Sequence, residues 1–299
     1  MFFLFPLFAV LIWSVNAIVN KLSASAIEPA AISFYRWLLA LLVLTPFVLP
    51  GVIRQWQTIR PHLWRLMVLG LLGMALYQSL AYYAAHSVSA LFMGIIAALI
   101  PLLTVLLSMV ILRLAPTVGI LAGSLISFFG LIWLVSAGNL DQLLHHGIGA
   151  GEAMMLAASA SYALYGVMTK RWSIPLPVWQ SLYVQIAFGV LLLLPGFLMT
   201  PDVALTPHNL PLVAFAGLFA SILAPWLWIH GVQKLGASIT SIFMNLTPVF
   251  TALIAVLFLH EHLHSYHWIG GGLTLTGVLL AQRLRRPLTQ RTSPNADSH

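Results

Sequence analysis

The sequence predicts an all-α membrane protein of ten transmembrane helices, built as a five-plus-five inverted-topology repeat with both termini in the cytoplasm. Three observations predict it: the length of the apolar runs, the side on which the basic residues fall, and an internal repeat. Of 299 residues, 61% are hydrophobic and 6% charged, against about 45–50% and about 25% in a soluble domain. So few charges cannot cover a water-facing surface, which excludes a soluble enzyme and a disordered chain. The net charge of +7 points to nucleic acid only if the basic residues share a wettable face, and they do not. With no cysteine in the chain, disulfides, iron–sulfur clusters and thiol catalysis are excluded.

A helix needs about 20 apolar residues to cross a bilayer core. Ten runs qualify, near residues 3–21, 30–49, 64–84, 88–112, 117–136, 150–169, 177–199, 210–231, 236–259 and 266–283. The first lacks the positive start of a signal peptide and is interrupted by Asn16 and Asn20, so it is expected to be a retained helix. Links such as Ala85-His86-Ser87 are short and make neighbouring spans antiparallel. The longest link, 138–149, carries Asp141, His145 and His146 and is expected on the surface. The domain division that follows is 1–137, 149–282 and a basic, polar cytoplasmic tail over 283–299.

Alternation places eleven of the thirteen Lys and Arg on the side of the termini, among them Arg54, Arg60, Arg65, Arg113, Lys170 and Lys234. Lys21 is alone on the other side and Arg36 lies within a span. The positive-inside rule then puts both termini in the cytoplasm, and in a bacterium the membrane is the inner one.

Shifting the chain on itself by 147 residues superposes Gly70 on Gly217, Pro101 on Pro248, Thr104 on Thr251 and Gly130 on Gly277. A shift of 149 brings Lys21 onto Lys170 and Trp13 onto Tyr162. Because five is odd, the second copy enters the membrane from the opposite face. Inverted repeats are a mark of secondary transporters, whose site lies at the midplane between the halves.

Several short motifs carry a family resemblance. They are Trp13-Ser14-x-Asn16 leading to Lys21, Phe34-Tyr35-Arg36-Trp37, Ala98-Leu99-Ile100-Pro101, Asn245-Leu246-Thr247-Pro248 and Leu257-Phe258-Leu259-His260-Glu261. In this order and spacing the chain resembles the EamA-type exporters of the drug/metabolite transporter superfamily over residues 1–282. His260 stands where that family usually has glycine. The run Ser159-Ala160-Ser161-Tyr162-Ala163-Leu164-Tyr165-Gly166 is similar to bacterial aromatic amino-acid exporters. The resemblance implies a ten-helix exporter of small metabolites.

Helical spacing selects the candidate substrate-binding residues. Trp13 and Asn16 share a face with Asn20, and their repeat mates are Tyr162, Tyr165 and Thr169. Mid-span aromatics are out of place, since Trp and Tyr normally collect at the interface. In the third and eighth spans, Ser79 and Tyr83 have Trp226 and His230 as mates, and Gln78, Tyr82 and His86 form a neighbouring stripe. His230 is a candidate proton carrier by its ordinary pKa near 6.5, with hydrogen-bonded packing as the favoured alternative. Met244 and Asn245 lie a turn before Pro248, with Met93 and Thr240 further along. Pro101 and Pro248 are expected to kink their helices, and together with Lys21 and Lys170 they are the candidate gating residues.

Arg36 is two turns deep and able to snorkel. It anchors a substrate carboxylate or ties down a helix end, and the second role is the expectation. No acid lies at the midplane, so a cationic drug would lack its counter-ion. The expected cargo is a small neutral or zwitterionic molecule, aromatic and apolar amino acids foremost, with other metabolites and drugs as the alternative. Gly119 and Gly123, and the glycines of the tenth span, are assigned to close packing within each repeat, with a monomer or weak homodimer expected.

One enzyme reading competes. His260-Glu261-His262-Leu263-His264 satisfies HExxH, the zinc-protease pattern in which two histidines on one helical face bind metal and the glutamate acts as base. It needs a helix through the motif and a third ligand, and here it straddles a span end. The expectation is no catalytic residue, no metal and no cofactor. ATP hydrolysis is not expected either, since no phosphate-binding loop is present.

Overall fold

The structure is a computed structural model that describes residues 2–113, 118–139, 148–235 and 243–284. Among these residues the chain forms ten helical rods. In chain order they are α1 (Leu4–Ser23), α2 (Pro29–Arg54), α3 (Trp56–Ala84), α4 (Ala90–Ile111), α5 (Val118–Val135), α6 (Ala150–Trp172), α7 (Val178–Leu198), α8 (Leu210–Leu235), α9 (243–259) and α10 (Ser265–Arg283). Six of them, α1 to α4, α7 and α8, are at least 18 residues long and apolar enough to cross a membrane. In a bilayer only helices and closed barrels satisfy every backbone group internally, so this is a multi-pass helical membrane protein.

The packing has a two-fold pattern. Exchanging α1–α5 with α6–α10 turns each main helix pair into another that is also packed: α3 on α6 becomes α8 on α1, α4 on α6 becomes α9 on α1, and α3 on α7 becomes α8 on α2. The pairs α2–α7, α4–α9 and α5–α10 map onto themselves.

Direction along these self-mated pairs distinguishes an inverted from a parallel repeat. On α2 and α7, Phe34 stacks on Phe197 at 4.3 Å, Thr45 bonds Tyr183 at 3.0 Å and Gly51 abuts Gln180. On α5 and α10, Gly119 meets Leu284, Ser127 donates to Thr274 O at 3.0 Å, and Gly130 meets Gly270. Numbers rise on one helix as they fall on the other, so mates run antiparallel. Copies related by an axis along the membrane normal would pair their mates in parallel. The halves are therefore inverted.

The glycines of α5 and α10 pack differently from the expectation. Their close packing is between the repeats, not within each. A Cβ on Gly130 would sit 2.7 Å from Gly270 O, and one on Gly270 would sit 2.9 Å from Gly130 O. Without side chains at these positions the two backbones touch, and α5 and α10 form a seam.

Two interruptions of helical geometry occur in pairs. A π-helical stretch spans Leu71–Leu76 in α3 and another spans Phe215–Leu223 in α8, which overlap under the 147-residue shift. α4 breaks at a turn over 98–99, and its second part restarts with Pro101 in the first turn. Likewise α9 begins as a 3-10 turn, Phe243–Leu246, and becomes α-helical with Pro248 in its first turn. Proline tolerates that place because its missing N–H has no partner there to lose.

Candidate functional site

Between the repeats lies a cavity of about 650 Å³. The interruptions supply much of its wall: Gly73 and Met74 from the α3 π-stretch, Ala220 and Ser221 from that of α8, and Ala98 and Pro101 from the break in α4. A π-turn frees carbonyls from the regular ladder, and here side chains of the opposite repeat take them up. Trp13 Nε1 donates to Ala220 O at 3.2 Å, and Ser161 Oγ donates to Leu72 O at 2.9 Å. These two bonds join α1 to α8 and α6 to α3, which are equivalent pairs.

Two aromatic clusters face the cavity from those same pairs. Trp13 lies 5.5 Å from Trp228, and Tyr162 lies 4.7 Å from Tyr77 and 5.5 Å from Tyr165. Such offset and tilted rings present flat apolar faces with polar tips.

Below them is a polar floor centred on Arg36, which is 2% exposed. Its Nε donates to Ser221 Oγ at 2.8 Å, and Nη1 donates to Asn16 Oδ1 at 3.4 Å and Tyr82 OH at 3.3 Å. Arg36 does not snorkel. It turns inward and ties α2 to α1, α3 and α8. Its guanidinium carbon also lies 5.2 Å from the Trp37 ring, whose indole N–H donates to Met74 O at 2.8 Å in the α3 π-stretch.

Of the expected residues, Trp13, Asn16, Tyr162, Tyr165, Met244 and Pro101 line this cavity. Tyr83, Trp226 and His230 are placed elsewhere. Tyr83 is 44% exposed and Trp226 39%. His230 stacks on Trp226 at 4.1 Å, holds Trp226 O through Nδ1 at 2.8 Å and meets the Phe5 ring. The reason is register. Each π-stretch adds a residue to its turn, and one residue rotates everything beyond it by about 100°. The inward faces are therefore Tyr77, Gln78 and Ala81 on α3 and Ser221, Pro225 and Trp228 on α8.

Pro248 is buried beside the cavity, where the preceding carbonyl, Thr247 O, accepts from Ser14 Oγ at 3.2 Å. The side chain of Asn245 and all of Thr240, Asp141, His145 and His146 lie outside the described residues. Sequence reasoning did not select Trp37, Tyr77, Gln185 or Trp228, all of which line the cavity. The mid-span amide of Gln185 was the available signal, since a buried polar side chain within a membrane helix asks for a partner.

The cavity reaches one end of the bundle. It runs to the exposed loop between α6 and α7, where Ser173, Ile174 and Leu176 line it. No residue of the described loops at the other end, 24–28, 85–89, 199–209 or 260–264, takes part. There Lys21 Nζ donates to Ala85 O at 2.7 Å and Val88 O at 2.8 Å. Beside it, the Glu261 carboxylate accepts from Ala90 N at 2.8 Å and Leu91 N at 3.1 Å, and Ser89 Oγ accepts from Phe92 N at 3.0 Å. Three of the four unpaired amides that begin α4 are thus capped, two by a charge from the other repeat.

This geometry removes the basis of the zinc-protease reading. His260 ends α9 in the left-handed region at φ 53°, and residues 261–264 are not helical. His260 and His264 therefore share no helix face. Glu261 is committed to the α4 amides, while His264 caps α10 together with His267. Among the described residues no three metal-ligating side chains gather.

The match to the EamA-like transporter family covers residues 1–136 and 149–282. The chain belongs to that family. It is 28% identical over 226 residues to the uncharacterized transporter YyaM of Bacillus subtilis, covering 74% of this chain and 73% of YyaM. Protein PecM of Dickeya dadantii is 25% identical over 74% of each chain. The uncharacterized inner membrane transporter YedA of Escherichia coli is 25% identical over 93% of this chain and 90% of its own. A solved crystal structure with 20% identity superposes at a TM-score of 0.61 over 97% of this chain and 98% of its own, which shows a shared fold. This EamA-like protein is a membrane transporter.

Proposed function

We propose that this EamA-like protein is a secondary transporter of the bacterial inner membrane. It exports small neutral or zwitterionic metabolites, aromatic and apolar amino acids foremost, by alternating access between its two repeats. The observation that carries the reading is the cavity between inverted repeats, walled by paired aromatic clusters and interrupted helices. Its volume of about 650 Å³ falls in the range of roughly 300–1,000 Å³ typical of small-molecule sites. Interrupted helices at the repeat interface are where such carriers hold substrate. The distribution of Lys and Arg supports cytoplasmic termini, and with that orientation the cavity faces the cytoplasm, ready to load cargo for export. Repeats over 1–137 and 149–282, followed by a cytoplasmic tail over 283–299, are the proposed domains.

The test is purified protein in liposomes, given a panel of labelled amino acids with and without a pH gradient. The expected result is movement of aromatic and branched apolar amino acids, reduced at least tenfold by Trp13→Ala or Tyr162→Ala. Failure to move any neutral amino acid overturns the substrate class. Normal transport by both variants overturns the site.

A further inference from the structure

A guanidinium has five N–H donors and no acceptor. In Arg36 the Nε proton goes to Ser221 and the two Nη1 protons go to Asn16 and Tyr82. The two donors of Nη2 have no hydrogen-bond partner among the described residues, and Arg36 lines the cavity. Its partners are all neutral and turn lone pairs toward it. Ser221 Oγ spends its own proton on Ala216 O at 2.8 Å, and Asn16 Nδ2 donates to Asn20 Oδ1 at 3.4 Å. None of the described lining residues is acidic. A buried positive charge is therefore solvated by neutral oxygens and, among the described residues, has no counter-ion and one nitrogen free at the edge of the cavity. Isolated buried charges are costly unless paired, and this one is positioned to be paired by what enters.

We propose that Arg36 Nη2 is the carboxylate-binding group of the cavity and that the site recognises the substrate's carboxylate, not its ammonium. This rests on the reading of the cavity as a site for amino-acid-like molecules and names how it grips them. Trp37 and the aromatic clusters seat the body, while the acid end reaches Arg36. Among the described residues an ammonium would find only uncharged acceptors, such as Gln78 Oε1 and Gln185 Oε1, which are buried there without partners. Amide oxygens give it no charge to replace its hydration, so it adds little. Arylalkyl monocarboxylates without an ammonium belong to the ligand class, and the corresponding amines do not.

Binding to the purified full-length protein is measured by titration calorimetry with phenylalanine, 3-phenylpropionate, phenylalaninamide and phenethylamine. The two acids are expected to bind within about threefold of each other, and the amide and amine at least tenfold more weakly, the size of one charge-assisted hydrogen bond. Arg36→Gln is expected to weaken the acids at least tenfold. Should that variant fail to fold, the ligand series on the unaltered protein still decides. Amine and amide binding as tightly as the acids overturns the proposal and leaves the aromatic amino-acid reading standing. Binding of 3-phenylpropionate without phenylalanine upholds the role of Arg36 and overturns the amino-acid reading. No binding by any of the four overturns both.

Discussion

Lys21 and Lys170 occupy equivalent places at the ends of α1 and α6, and the structure treats them oppositely. Lys21 is half-buried and holds two carbonyls of the loop that follows α3. Lys170 is exposed, and its ammonium bonds nothing among the described residues; the tie at that end is the neighbouring Arg171, donating to Ile111 O at 3.0 Å on the surface. A duplicated sequence has thus folded unsymmetrically: these bonds tie the Lys21 end, while the cavity runs to the Lys170 end. Under the proposed alternating access, the Lys170 end closes as the Lys21 end opens. In the mirror state that the proposed alternating access requires, Lys170 is expected to take the carbonyls equivalent to those of Ala85 and Val88, which the repeat shift places at Val232 and Leu235.

The largest expected effect comes from Glu261, because its carboxylate holds two backbone amides at once. Glu261→Ala uncaps Ala90 and Leu91, and each unsatisfied amide costs about 1–3 kcal/mol. The chain has no cysteine, so a single Ala97→Cys in the cavity wall reports access without background. In the unaltered background, an impermeant thiol reagent is expected to reach it from the side of the termini. With Glu261→Ala, labelling from the opposite side is expected to rise by tenfold or more. Unchanged sidedness would mean that Glu261 caps α4 without locking the end.

The lysines are the direct test of the comparison. Lys21→Met removes two charge-assisted bonds, each worth about 1.5–3 kcal/mol when buried and less here because Lys21 is only half-buried, and is expected to shift labelling the same way by a smaller factor. Lys170→Met removes nothing present in this state. It is expected to leave thermal stability unchanged while lowering the transport rate, since under the proposed alternating access only the mirror state uses that ammonium. If both variants lower stability equally, the two ends are not in different states.

Much of this asymmetry was beyond the reach of sequence. Apolar runs, the charge bias and the repeat are compositional and were legible, and so were Trp13, Asn16, Tyr162 and Tyr165, which sit on uninterrupted helix before any register slip. The π-stretches in α3 and α8 were not, because a slipped hydrogen bond has no residue signature of its own. Beyond them, Tyr83, Trp226 and His230 rotated out while Tyr77 and Trp228 rotated in. The direction of Arg36 was equally hidden. Depth in the span allowed snorkelling, and only the polar oxygens arriving from three other helices drew it inward.

The α5–α10 seam runs between the repeats but belongs to neither end, which makes it the control. Gly130→Ala sets a Cβ against backbone atoms of Gly270 and Thr274, each 2.7 Å away. Neither can rotate aside as a side chain would. Overpacking of this kind costs about 1–3 kcal/mol. The variant is expected to lower the unfolding temperature in detergent and to leave the sidedness of Ala97→Cys labelling unchanged. A change in sidedness would place the seam in the gating movement.

The smallest effect sharpens the locked end. His260 terminates α9 at φ 53°, a conformation that costs a residue with a Cβ roughly 1–2 kcal/mol and that glycine adopts freely at helix ends. This explains why glycine is usual there in the resemblance noted from sequence. The turn is needed because it aims Glu261 at α4, with Glu261 N donating back to Ala255 O at 3.3 Å. His260→Gly relieves the strain but adds about 0.5–1 kcal/mol of chain entropy lost on folding. The net gain is therefore between about 0 and 1.5 kcal/mol, a rise of at most a few degrees in the unfolding midpoint. His260→Ala keeps the Cβ and is expected to show no rise. Equal midpoints for the two variants would mean that backbone strain at His260 does not limit the lock.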